Sequence, residues 1–358
     1  PGVITAGEGS SSFFVRGGSA DQNLILIDEA PVYDPSHLFG LFSVFNADVI
    51  KDSELYKGGI PARFGGRLSS ILEVRTKDGN NRETCFQGGI GTLAARITAE
   101  GPIRKEKSSY VVSARRSYVD LSLRAAGEDN LVYFYDVNAK VNWRYNNNNR
   151  FFVALYAGRD VFKFGDDFSF GWGNATATFR WNHLFNDRLF SNTSLIASNF
   201  DYALELQDAV QGFKWISNLQ EMTFKNDLSY FINTSNELSF GYHLTGRRFL
   251  PGRISPNTDG SIFSTLDLQK MFALDHGLYI SNQQRISDRI TVDYGVRLSI
   301  FQNVGTSDVY VYENPADNIN INRIDTLHYD AWENIKTYTN AEPRIGLRYT
   351  LAPGQSLK

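Results

Sequence analysis

Tyr133-Phe134-Tyr135-Asp136-Val137-Asn138-Ala139-Lys140-Val141-Asn142-Trp143-Arg144 decides the fold. Its odd positions are apolar throughout, and its even positions are polar apart from Phe134. That period of two belongs to a strand with one apolar and one polar face, and a helical period of 3.6 does not fit it. The same pattern recurs from Leu238 to Arg247, from Ile290 to Ile300, from Ala175 to His183 and from Pro343 to Leu351. Met222 to Tyr230 repeats it, with Asn226 as the exception. These runs match the ~9–11 residues with which a tilted strand crosses a bilayer.

The connections sharpen the reading. Short turns fall near Asn146–Arg150, Phe185–Arg188, Asn233–Asn236 and Ser287–Arg289. Between them, long loops are expected near Gly158–Gly173, Asp201–Phe213, Gly246–Asp275 and Gln302–Tyr338. Strict short–long alternation is the mark of an outer-membrane barrel, with tight periplasmic turns and longer external loops. A soluble sandwich also alternates, but in shorter strands with turns every ~8–12 residues. Trp143, Tyr145, Phe151 and Phe152 flank one short turn, and Trp181, Phe185 and Phe190 another, as an interfacial aromatic girdle would.

Composition agrees. The chain has 358 residues, 14% of them aromatic, and a mean hydropathy of −0.31. No apolar run approaches the ~18 residues of a transmembrane helix. The formal charge of −3 argues against nucleic acid as a partner. The single cysteine, Cys85, has no partner for an internal disulfide. His37, His183, His243, His276 and His328 show no metal-site spacing, and no nucleophile–base arrangement or phosphate loop is found. Neither a cofactor, a metal nor an enzymatic activity is expected.

The pattern predicts about eleven strands, near 85–99, 108–116, 132–145, 150–163, 170–184, 188–205, 213–231, 236–250, 272–286, 289–303 and 338–351. Bacterial single-chain barrels use even numbers, so further strands are expected after Lys358. Residues 1–80 have another texture. They hold Gly17–Gly18, Gly58–Gly59 and Gly65–Gly66, an apolar run Leu24–Ile27, and a short helix expected around Asn46–Asp52. This predicts a small α+β unit whose place is inside the barrel.

Three stretches of that unit carry a resemblance. They are Phe13-Phe14-Val15-Arg16-Gly17-Gly18 with Asp21 to Asp28 and Pro31-Val32-Tyr33, then Leu55 to Ser70, then Leu72-Glu73-Val74-Arg75-Thr76-Lys77. Together they resemble the plug domain of TonB-dependent outer-membrane receptors. Pro35 to Gly40 with Phe42 to Asn46 looks like the Bacteroidota branch, whose members often carry a carboxypeptidase-regulatory-like domain before the plug. The resemblance implies residues 1–80 as the C-terminal part of a plug and 84–358 as the N-terminal half of a transmembrane antiparallel β-barrel, 22-stranded when whole. It implies an integral protein of a Gram-negative outer membrane that imports a nutrient such as a glycan or peptide. A TonB-type energy-transducing protein would pull an N-terminal box lying before Pro1. A surface-exposed lipoprotein lid, lipid and lipopolysaccharide would be the other partners. A structural subunit of an outer-membrane assembly or secretion complex is the alternative, and a passive porin is disfavoured by the plug.

By the same resemblance, Arg16, Arg63 and Arg67 are candidates to latch the plug to barrel glutamates placed beyond Lys358. Solvated surface charge is the plainer reading of each. Tyr33, Asp34, His37 and Phe39 are candidates for a substrate-facing apex, against simple packing on the wall. Arg115 and Arg116 are candidates for an anionic ligand or the lipopolysaccharide zone, against a solvated face. Asp166, Asp167 and Asp317 are too sparse for a calcium site.

Overall fold

The computed structural model describes residues 2–5, 13–313, 322–352 and 355–357. The expected polar loop around Asn314, Asp317, Asn318 and Asn320 lies outside the described residues.

The N-terminal unit is built on a four-stranded mixed sheet ordered Ala30–Pro31, Asn23–Ile27, Ser70–Thr76, Ile50–Tyr56. Asn23–Ile27 and Ser70–Thr76 run parallel, and the other pairs are antiparallel. Leu26, Ile71 and Phe64 form a small dry core beneath it. The helix expected over Asn46–Asp52 is absent. Asn46 Oδ1 instead accepts from the Asp48 N–H at 3.1 Å, and the chain turns straight into the strand Ile50–Tyr56. Such a local side-chain bond competes with the helix for backbone donors.

From Cys85 onward the chain is an antiparallel meander within a 14-stranded sheet. Successive strands pair in order, except that the short Leu266–Asp267 lies off the path and Ile290–Val304 pairs with Asn334–Ala352 across a separate hairpin. The sheet is open: Cys85–Ile90 and Gln355–Leu357 are its edges. The strand expected near 85–99 is a hairpin, Cys85–Ile90 then Ala94–Arg104, closed by Gly91 N–H donating to Ala94 O. Three of the expected long loops are largely strand. Asn149–Phe164 and Phe168–Asn186 leave only residues 165–167 between them, and Leu189–Leu206 and Phe213–Asn233 leave 207–212. Asn236–Pro256 runs well past Gly246. In the fourth, Ser307–Tyr312 pairs with Arg323–Tyr329 as a separate hairpin.

The two faces of the large sheet differ as the alternation predicts. Val153, Leu155, Phe179, Leu195, Met222 and Leu278 point outward and are exposed. The inner face carries Ser113, Asp136, Asn138, Lys140, Thr176 and Ser198, all buried. They are buried because the N-terminal unit lies against them.

Candidate functional site: the seam between the N-terminal unit and the wall

One stretch of the seam is charged, with acids on the small unit and bases on the wall. Asp28 and Glu29 sit in a tight turn after the strand Asn23–Ile27, both at positive φ, which swings their carboxylates toward the wall. Lys140 Nζ donates to Asp28 Oδ1 at 3.0 Å and to Thr76 O at 2.8 Å, with Asp78 at 3.3 Å. Arg150 reaches Asp78 at 2.9 Å, Arg180 reaches Glu29 at 2.9 Å, and Arg96 reaches Asp48 at 2.7 Å. Lys140 is 5% exposed, so this ion pair is worth more than the half-exposed ones around it.

The second anchor is His37. The short strand Ser36–His37 and the turn Leu38–Gly40 push the imidazole into the wall, where it is 2% exposed. Nδ1 lies 2.6 Å from Asp160 Oδ2, and Nε2 faces Asp136 Oδ2 at 3.5 Å. The ring stacks on Phe134 at 4.3 Å. Leu38 N–H donates to Asp160 Oδ1, and Arg115 joins Asp136 to Ser43 O. Burial pulls the imidazolium down, but the hydrogen bonds and charges of Asp136 and Asp160 outweigh it, leaving His37 above its ordinary 6.5. With His37 charged, two cations balance two anions in the cluster.

On the other side, wall cations hold main-chain carbonyls rather than acids. Arg344 donates to Pro61 O at 2.6 Å and to Ile60 O at 3.1 Å, and Arg297 donates to Arg63 O at 3.0 Å. A side chain at Gly65 would strike Arg297 Nε at 2.5 Å. Between the two grips lies a cavity of ≈ 160 Å³, lined by Glu29, Arg63, Glu73, Arg180, Lys225 and Asp227 among others.

The candidate residues fall as follows. Arg63 pairs within its own unit, with Glu73 at 3.4 Å and Tyr56 Oη at 3.1 Å, over the Phe64 ring. Arg67 donates to Gly66 O, and the Arg16 guanidinium rests against Gly58. No wall carboxylate pairs with these three among the described residues. Tyr33 exchanges two main-chain hydrogen bonds with the Asn174 amide, at 2.9 and 2.6 Å. Asp34 is exposed and accepts from Ser36. Phe39 stands 68% exposed at the tip, against Phe162, Phe170 and Trp172. Arg115 is spent on Asp136 and Ser43, and Arg116 on Asp120. No cluster able to hold a metal occurs among the described residues. The acids Asp28, Glu29, Asp48 and Asp78 were not singled out by sequence, although Asp136 and Lys140 stood at inward positions of the deciding stretch.

The family model described as TonB-dependent Receptor Plug Domain matches residues 1–70. No curated protein matches the sequence. Among solved structures, the chain is similar to the copper transporter OprC, at a TM-score of 0.69 and 10% identity, over 99% of this chain and 58% of that one. It is similar to the ferric citrate transporter FecA in the unliganded form, at 0.67 and 12%, over 98% and 57%. It is similar to the siderophore receptor PirA from Acinetobacter baumannii, at 0.62 and 15%, over 98% and 64%. The chain thus spans about three-fifths of the length of the structures it matches, and the likeness is one of fold. By its first 70 residues the chain carries a TonB-dependent receptor plug domain, and that unit lies against an antiparallel wall that shares its fold with the copper transporter OprC and the ferric citrate transporter FecA.

Proposed function

We propose that the chain belongs to an energised importer of the Gram-negative outer membrane, in which a TonB-type protein displaces the plug to admit a nutrient such as a glycan or peptide. One observation carries this reading: a plug domain seated on the wall by many exchangeable polar contacts, with two small apolar clusters between them, Ile27, Val32 and Val44 on Tyr156 and Leu38 on Phe134, Phe162 and Trp172. Ion pairs at partly exposed positions contribute about 0–1 kcal/mol each. Water can replace them one at a time as the plug is pulled, with the buried Lys140 and His37 anchors and the two apolar clusters resisting more strongly. Residues 1–80 form the plug portion and 84–358 the wall. Tyr33, Asp34, His37 and Phe39 form its apex, and Arg16, Arg63 and Arg67 are its latch candidates, of which Arg63 is paired with Glu73. A surface-exposed lipoprotein lid and the Bacteroidota branch, from the Pro35–Asn46 stretch, complete the proposal.

The test is nutrient depletion by cells that carry or lack the full-length protein, on a defined mixture of glycans and peptides. Depletion of one solute class, abolished by a protonophore and by deletion of the N-terminal box, is the expected result. Depletion that ignores both treatments overturns active import. Co-purification with assembly or secretion subunits, without any energy-dependent depletion, moves the chain to the scaffold class.

A further inference from the structure

We propose that the cavity between the N-terminal unit and the wall binds a small oxyanion that also carries a hydroxyl, inorganic phosphate being the simplest example, and that this anion cements the unit to the wall. The site lies toward the short turns at 187–188 and 234–235, at the opposite end of the strands from the apex. The inference goes beyond the import reading and does not depend on it.

Strand register builds the site. Residues two apart on a strand share a face, and residues opposite each other on paired strands are neighbours on it. Ser229 stands opposite Ser239 and Ser239 opposite Ser281, so three hydroxyls form one row across three adjacent strands. Two residues further from the turn, Asp227 is opposite Gly241 and Gly241 opposite Tyr279. The next inward position brings Lys225 opposite His243. On the other flank Asn192 is opposite Asp227, while Ser194 separates Lys225 from Arg180. The N-terminal unit roofs this patch with Arg63, Glu73 and Arg75.

Four basic side chains and three carboxylates line the cavity. Each carboxylate already has its donors. Glu29 Oε1 accepts from Arg180 at 2.9 Å, and Glu73 Oε2 takes both Arg75 at 3.0 Å and Arg63 at 3.4 Å. Asp227 Oδ1 accepts from Tyr279 Oη at 2.5 Å and meets His243 Nε2 at 2.7 Å. Lys225 is half-buried and has neither a hydrogen bond nor an ion pair among the described residues. One cation is therefore in excess beneath the roof, and a charge withdrawn from water favours a counter-ion beside it. Two more atoms are fully buried without a partner: the Arg180 Nε donor and the Asn192 Oδ1 acceptor. The three serine hydroxyls of the row also make no hydrogen bond among the described residues. Buried polar groups as a rule are satisfied, so these groups specify what is to fill the space. Lys225 and Arg180 Nε can only donate and call for anionic oxygens. Asn192 Oδ1 can only accept and calls for a hydroxyl on the same ligand, and the serines serve either kind. A phosphate that keeps a proton presents both, whereas sulfate and chloride present no donor. The ≈ 160 Å³ cavity holds such an ion together with waters, which need about 10–15 Å³ each. The anion would stand between Lys225 and Arg180 of the wall and Arg63 and Arg75 of the roof. Opening the seam must then release it, so its binding holds the unit in its seat.

The test is calorimetric titration of the full-length protein in amphipol with inorganic phosphate, sulfate and chloride at constant ionic strength. Phosphate is expected to bind at one site, at least tenfold more tightly than sulfate, and to lose at least tenfold in affinity in Lys225→Met. Asn192→Leu should erase the preference for phosphate over sulfate while the weaker sulfate binding stays. Hydrogen exchange over residues 60–64 and 70–76 reads the cementing role. Phosphate at a hundred times its dissociation constant should suppress openings that release it about a hundredfold, with no effect in Lys225→Met. Heat-modifiable migration in a gel verifies that both variants fold. No phosphate binding, binding indifferent to Lys225→Met, sulfate bound as tightly as phosphate, or exchange unmoved by bound phosphate overturns the proposal.

Discussion

His37 Nδ1 lies 2.6 Å from Asp160 Oδ2, joining the tip of the plug to the wall through a contact buried on both sides. Taking away one partner of a buried, hydrogen-bonded ion pair leaves the other desolvated and uncompensated, a loss of about 3–5 kcal/mol. Asp160→Asn should therefore loosen the plug tip while the wall strands stay folded. Hydrogen exchange across residues 33–43 should accelerate strongly, with exchange in Asn149–Phe164 little changed. Equal acceleration in both would show that Asp160 serves the strand and not the plug.

The same pair sets a pH dependence. The folded pKa of His37 is raised, with burial outweighed by the two aspartates. A raised group stabilises fully below its unfolded value and loses that contribution as pH rises through the folded value. The seated plug should thus be tightest below about pH 6.5, the reference value for histidine, and loosen on the alkaline side. Asp136, Asp160, Arg115 and Tyr156 on the wall and Asp34 on the plug are the titratable groups that face it. After correction for intrinsic rates, exchange over residues 33–43 should rise with pH in the native protein and be flat in His37→Gln. A rise towards acid would reverse the assignment.

Lys140 and Arg150 offer a contrast within one seam. Lys140 is 5% exposed and serves Asp28, Asp78 and Thr76 O, whereas Arg150 is 37% exposed and serves Asp78. Lys140→Met should weaken the plug seat by about 3–5 kcal/mol, and Arg150→Ala by about 0–1 kcal/mol. Exchange-derived opening free energies for residues 23–32 and 70–78 would measure both. Similar losses would mean that burial does not rank these contacts.

Much of this was legible. Asp136 and Lys140 occupy inward positions of a stretch whose alternation alone assigns their face, and both became anchors. Their partners were not legible, because Lys140 meets Asp28 across 112 residues and Arg180 meets Glu29 across 151. No local pattern encodes such a contact. The apparent long loops had a physical cause too. Where Arg159 and Asp201 pair on the outer face, polar residues take positions that apolar ones held before, and a strand whose polarity changes so looks like a strand that has ended. The hairpin Cys85–Arg104 was missed because its turn at 91–93 is short and glycine crowds its approach.

Gly79 joins the plug to the first hairpin with φ at +79°, and a Cβ there would lie 2.2 Å from Tyr110 O. No side-chain rotation relieves a clash with backbone. Gly79→Ala should shift the linker, disturb the adjacent Asp78 contacts with Ser109 and Lys140, and cost about 1–3 kcal/mol from conformation alone. The expected result is a reduced yield of heat-modifiable folded protein, with Gly17→Ala, where a Cβ meets nothing within 4 Å, as the comparison for positive φ without the clash. Equal yields for the two would remove the close approach as the cause.

Along Leu189–Leu206 the outward face passes from Leu195 to Asp201 and Glu205, which predicts where the bilayer stops. Leu195 and Ala203 lie on one strand and point to the same outer face, but below and above the Arg159–Asp201 pair. Leu195 is 54% exposed among apolar neighbours and should sit in hydrocarbon. Leu195→Arg should then cost about 2–4 kcal/mol of folding free energy in vesicles, as arginine does near the midplane of a lipid-facing strand. Ala203, flanked outward by Asp201 and Glu205, should accept arginine at a cost of about 0–1 kcal/mol, the value near an interface. Refolding of the full-length protein into vesicles across a denaturant series measures both. If Ala203→Arg costs as much as Leu195→Arg, Ala203 lies in lipid, and the outward Asp201 and Glu205 do not mark the edge of the bilayer.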